Sequence, residues 1–177
     1  RRLITTTIEH YGQLDYLINN AGISQVIAHD DLDAATDEIF HRMWQTNVMG
    51  TWYLCRAAMP HLEKSGHGKI INISSVAGVR AAGSSIPYAV SKAAVNHLTK
   101  LLANTFGPNV SINAIAPGLI RTPRTEGWDD ITTYFTEKTA KKAAGKVDDI
   151  AQCALGILKT DYLTGQVIVC DGGFLLG

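Results

Sequence analysis

An excess of charge of either sign is missing from this sequence: 16 Lys and Arg residues balance 16 Asp and Glu residues, for a formal net charge of zero. A neutral surface has little electrostatic hold on nucleic acid or on an anionic membrane, so neither is expected as a partner. No apolar run approaches the roughly 20 residues a membrane span needs, and the opening RRLITTTIEHYG has no apolar secretory core. Cysteine is scarce. Cys55, Cys153 and Cys170 are far apart and odd in number, which fits free thiols in a reducing compartment and sets cytoplasmic location as the expectation. No CxxC pair occurs, and the 6 histidines form no HExxH or similar spacing, so no metal is expected. What the sequence does have is apolar bulk: 46% of its 177 residues are hydrophobic. That is enough for one domain with a sizeable core and too little for two, so residues 1–177 are read as a single domain.

Two periodicities alternate along the chain. Short apolar runs bounded by turn residues predict buried strands at Leu14–Ile18, Lys69–Ser74, Ser111–Ala116 and Gln166–Cys170. Helical spacing fills Arg1–Tyr11, about Asp37–Glu63, Tyr88–Phe106, about Asp130–Ala144, and Val147–Leu158. Gly12, Gly66 and the Gly107-Pro108 pair supply helix stops. Strands alternating with helices imply an α/β fold whose parallel sheet is covered on both faces. The chain opens in the middle of a βαβ unit, with a helix leading into an apolar strand. A four-stranded parallel sheet would leave one edge unpaired, so a preceding segment is expected.

The residues that carry chemistry fall at the carboxyl ends of the strands, the edge where open α/β sheets bind ligands. Tyr88 and Lys92 lie four apart on a predicted helix, so both side chains share one face. An ammonium there favours the phenolate and lowers a tyrosine pKa that is ~10 when unperturbed. Thirteen residues before Tyr88, Ser75 ends a strand, where its hydroxyl either holds a carbonyl oxygen or merely shapes the turn. Asn19-Asn20-Ala21-Gly22 follows another strand, and suits either close approach to a ligand or a tight turn. Asn47 interrupts an apolar helix and needs a hydrogen-bond partner, structural or functional. Pro117-Gly118-Leu119-Ile120-Arg121-Thr122 follows the third strand.

The combination of NNAG (Asn19–Gly22), Asn47, Ser75, YxxxK (Tyr88, Lys92), Pro117-Gly118 with Thr122, and the terminal Asp171-Gly172-Gly173 resembles the short-chain dehydrogenase/reductases. The match is closest to their classical branch, and it extends over essentially the whole chain in the family's order and spacing. The resemblance implies a Rossmann-like doubly wound parallel sheet, incomplete at the N-terminus. It implies hydride transfer between NAD or NADP and a small ketone or secondary alcohol. By the same likeness Tyr88 is the general acid in reduction and base in oxidation, Lys92 lowers its pKa and contacts the nicotinamide ribose, and Ser75 orients the substrate oxygen. Asn47 would bend its helix and hold a water linking Lys92 to solvent. Asn20, Ala21 and Gly22 would line the adenosine side of the cofactor, and Pro117, Gly118, Ile120 and Thr122 would surround the nicotinamide. A homo-oligomer, dimer or tetramer, is implied as well.

One departure from the family pattern stands out. Its members begin with a strand, a TGxxxGxG turn and a helix, and no such glycine fingerprint occurs in these residues. Two crossovers of ~30 residues each correspond to roughly 60–80 residues, an expected deficit at the front. The polar segment Arg121–Gly145, with Trp128, Tyr134 and Phe135, occupies the family's substrate flap, and Ala81–Pro87 should border the substrate too. A second reading treats the chain as a non-catalytic fragment or pseudoenzyme acting through subunit association. A third, a flavodoxin-like nucleotide-binding module, leaves the Asn47, Ser75, Tyr88 and Lys92 set unexplained.

Overall fold

The computed structural model describes residues 2–177, apart from the Arg124 side chain. Four strands, β1 (Tyr16–Asn19), β2 (Gly68–Ile73), β3 (Val110–Pro117) and β4 (Val167–Cys170), form one parallel sheet in the order β1-β2-β3-β4. Among the described residues β1 pairs with β2 alone. Parallel neighbours require crossovers, and helices supply them: α2 (Asp37–Met43) and α3 (Gly50–Ser65) between β1 and β2, α4 (Ile86–Phe106) between β2 and β3, and α5 (Asp129–Lys138) and α6 (Val147–Leu158) between β3 and β4, while α1 (Arg2–Tyr11) leads into β1. The expected α/β class and parallel sheet are therefore present.

Strand alternation sorts the core into two layers. Leu17, Ile70, Val110 and Ile112 face α1, α3 and α4, packing with Cys55, Met59, Leu62 and Leu102. Ile71 and Ile115 point the other way and meet Ile157 and its neighbours on α6. Two charged or polar strand residues find partners on these faces. Lys69 donates from Nζ to the carbonyls of Leu158 (2.8 Å) and Thr160 (3.3 Å) and pairs with Asp161 (2.7 Å). It thereby satisfies carbonyls that the end of α6 leaves without partners. Asn72, fully buried, accepts from Asn19 Nδ2 at 2.8 Å and donates to Thr99 Oγ1 at 2.9 Å, linking β1, β2 and α4.

Strand ends shift by one or two residues from the sequence reading, and three departures in the helices have a physical reason. The long second helix is one run in which α2 and α3 are joined by a π-helical turn, Trp44–Met49, whose wider ring carries the Gly50 N–H back to the Gln45 carbonyl. Periodicity does not register a single inserted residue. The helix expected to reach Ala144 stops at Lys138, because Thr139 turns extended and is buried. The chain then pairs elsewhere: Lys141 N–H donates to the Gly172 carbonyl, and Ile120 bridges to Gly145. α4 begins two residues earlier than expected, with Pro87 in its first turn, where proline's missing N–H costs nothing.

Cys55 is wholly buried beneath β1 and accepts from Asn19 Nδ2 at 3.3 Å. Burial pushes its thiol up from 9.0 to about 11. An acid whose folded pKa is raised keeps its proton in the native state while the unfolded chain loses it, so stability falls as pH rises from 9 to 11. Urea unfolding at pH 8 and at pH 10.5 should show a Cys55-dependent loss on the order of 2 kcal/mol. Cys55→Ala should remove that part of the pH dependence.

Candidate active site

The loops after β1, β2 and β3 open into one cleft of about 1110 Å³ at the carboxyl edge of the sheet. Its base is built from three elements. Ser75 follows β2 in an extended conformation, and its Oγ accepts from Ala77 N–H at 3.2 Å, starting the single 3₁₀ turn Val76–Gly78. Tyr88 and Lys92 come from the first turns of α4. Lys92 is only 5% exposed; its Nζ donates to the Ile73 carbonyl at 2.8 Å and stands 5.7 Å from the centre of the Tyr88 ring.

That turn is clamped onto α4 by contacts the sequence did not advertise. Ser74 Oγ donates to the Lys92 carbonyl at 3.2 Å, and Asn96 Nδ2 donates to the Gly78 carbonyl at 2.9 Å. Gly78 lies so close to α4 that a Cβ there would stand 2.6 Å from the Lys92 carbonyl carbon and 2.8 Å from Ala93 N. These three contacts fix the spacing between Ser75 and the Tyr88–Lys92 face.

Asn47, 1% exposed, sits behind the cleft on the π turn. Its Oδ1 accepts from Ile23 N–H at 2.8 Å, and its Nδ2 donates to the Ile23 carbonyl (3.0 Å) and Ser91 Oγ (2.9 Å). It thus pins the loop after β1 to the start of α4. Gly22 occupies the gap between them: a Cβ there would be 3.3 Å from Asn47 Oδ1 and 3.4 Å from Lys92 Nζ.

Of the residues singled out in the sequence, Asn20, Gly22, Ser75, Tyr88, Lys92, Pro117, Gly118, Ile120 and Thr122 line the cleft. Ala21 is exposed beside it and Asn47 lies beneath, and neither forms its wall. Gly118 is needed for packing, since a Cβ would meet Asp171 Cα at 2.9 Å and Phe135 Cε1 at 3.1 Å. Trp128, Tyr134 and Phe135, from the segment expected to form a flap, line the outer side of the cleft, the last stacked on Phe174 at 3.9 Å. The stretch Ser24 and Val26–His29, Arg80 and Phe174 also line the cleft and carry no motif by which sequence alone could find them.

A family model described as enoyl-(acyl carrier protein) reductase matches residues 1–175. A Streptomyces violaceoruber protein named as ketoacyl reductase 2 of the granaticin polyketide synthase is 50% identical over 98% of this chain and 71% of its own length. The chain belongs to the short-chain dehydrogenase/reductase family. The 7alpha-hydroxysteroid dehydrogenase of Bacteroides fragilis is 33% identical over 99% of this chain and 70% of its own. Among solved structures, ElxO with NADP bound superposes with a TM-score of 0.91 at 32% identity, covering 99% of this chain and 73% of that one. Family members are NAD(P)-dependent oxidoreductases, and this short-chain dehydrogenase/reductase is one of them.

The close approach at Gly78 generates a test. Gly78→Ala forces Cβ into backbone atoms that cannot swing aside, and should cost about 1–3 kcal/mol of stability in thermal or urea unfolding. Gly156→Ala, in the last turn of α6 with nothing within 4 Å of the added Cβ, should be neutral or stabilising by up to ~1 kcal/mol.

Proposed function

We propose that this protein catalyses reversible hydride transfer between NAD(P)(H) and a ketone or secondary alcohol, with Tyr88 as the acid–base residue. The observation that carries the reading is the convergence of Tyr88, Lys92 and Ser75 on one cleft at the strand ends. Tyr88 delivers its phenolic proton to the substrate oxygen during reduction and takes it back during oxidation. The Lys92 ammonium, held at the end of β2 by the Ile73 carbonyl, favours the phenolate and eases that exchange near neutral pH. Ser75 keeps its hydroxyl hydrogen available for the substrate oxygen, because its contact with Ala77 uses the oxygen only as an acceptor.

The residues at the strand ends fit the nicotinamide half of the cofactor. Gly22 leaves Lys92 Nζ approachable where a larger side chain would crowd it. Pro117, Gly118, Ile120 and Thr122 form the facing wall, and Asn20, Ala21 and Gly22 lie toward the adenosine side. When bound, the nicotinamide supplies or accepts the hydride. The cleft then supplies orientation, and its largely apolar wall excludes water around the reacting oxygen. Asn47 acts as a positioning residue through Ile23 and Ser91. Exposed Tyr53 on α3, with Val90 and Leu101 on α4, supports self-association along these two helices.

Tyr88→Phe should keep its far-ultraviolet circular dichroism and lose at least about 100-fold in NADPH-dependent reduction of a β-keto ester. Full turnover in that variant would refute the assignment. Lys92→Met should lose turnover too, with its pH optimum displaced upward as the phenol loses its neighbouring cation.

A further inference from the structure

The proposed chemistry uses none of the three cysteines, and two of them lie on neighbouring elements. Cys153 lies on the face of α6 that packs against the sheet, and Cys170 closes β4; both join the cluster around Ile71, Ile115 and Ile157. Both side chains pack against that one cluster, close enough for each thiol to influence the other. Both residues are partly exposed, whereas Cys55 is sealed in the opposite core layer. Packing of α6 against β4 thus brings the two thiols into one neighbourhood.

We propose that Cys153 and Cys170 are a modification site at which hydrogen peroxide drives formation of an intrachain disulfide. The balance is simple. Peroxide converts the Cys170 thiol to a sulfenic acid and releases one water. The Cys153 sulfur then attacks the Cys170 sulfur, the S–S bond forms, and the S–OH bond breaks to release a second water. The two thiols give up two electrons and two protons, and peroxide takes both. Burial, with the Asp149 and Asp171 carboxylates facing Cys170, holds these thiols above their ordinary 9.0. At neutral pH the thiolate is scarce, so the reaction is slow.

The bond would staple α6 to β4 at the side of the cleft. Ile150 and Ala154 on α6 line the cleft, and the Cys170 carbonyl accepts from Gly118 N–H at 3.1 Å. It would close a loop of 17 residues (170 − 153), and closing such a loop restricts the unfolded chain.

The 177-residue chain, treated with peroxide under native conditions and then alkylated, should yield a peptide linking Cys153 to Cys170 by mass spectrometry, with Cys55 unmodified. Its Tm should rise by on the order of 5 °C and fall back with dithiothreitol. Cys153→Ser and Cys170→Ser should each abolish both the link and the shift, while Cys55→Ser keeps them. Independent oxidation of the two cysteines without a link, a link between chains, or a linked chain with an unchanged or lowered Tm would overturn the proposal.

Discussion

The ammonium of Lys92 is the group on which the arrangement of this site depends. A lysine that is 5% exposed has lost most of its water, and an uncompensated buried charge costs several kcal/mol. The Ile73 carbonyl meets that need at 2.8 Å, which requires β2 to end at Ile73 and α4 to pass directly over its end. The Ser74 hydroxyl on the Lys92 carbonyl and the Asn96 amide on the Gly78 carbonyl tie the same two elements together one turn further on. Satisfying one cation therefore fixes where Tyr88 and Ser75 stand. Gly22 and Asn47 complete the surround from the third side.

Around that point the cleft divides by origin. Its base comes from strand ends and the first turns of α4, rigid elements held by two core layers. Its outer wall comes from α5 and the loops beside it, with Trp128, Tyr134, Phe135 and Phe174. Catalytic geometry gains from the first kind of support and substrate choice from the second, because loops vary while the scaffold beneath them stays fixed.

The base was legible in the sequence and much of its support was not. Tyr88, Lys92 and Ser75 were each ambiguous alone and became legible in combination, through the motif set that resembles the short-chain dehydrogenase/reductases. Asn72 was hidden within an apolar strand. Its role rests on Asn19 and Thr99, residues distant in sequence. Gly78 looked like ordinary turn punctuation, yet the backbone of α4 lies against it. The overextended helix at Asp130–Ala144 failed for the same reason: the pairing of Lys141 with Gly172 and of Ile120 with Gly145 is tertiary, and local periodicity carries no trace of it.

The most direct measurement is the titration of the Tyr88 phenol itself, followed by NMR on chain labelled with carbon-13 at the tyrosine ring carbon that bears oxygen. The resonance missing from Tyr88→Phe identifies the residue. If the buried Lys92 ammonium governs the site, that resonance should titrate below the ordinary phenol value of ~10 and move upward in Lys92→Met. A Tyr88 phenol that titrates at or above ~10, indifferent to Lys92, would contradict the account.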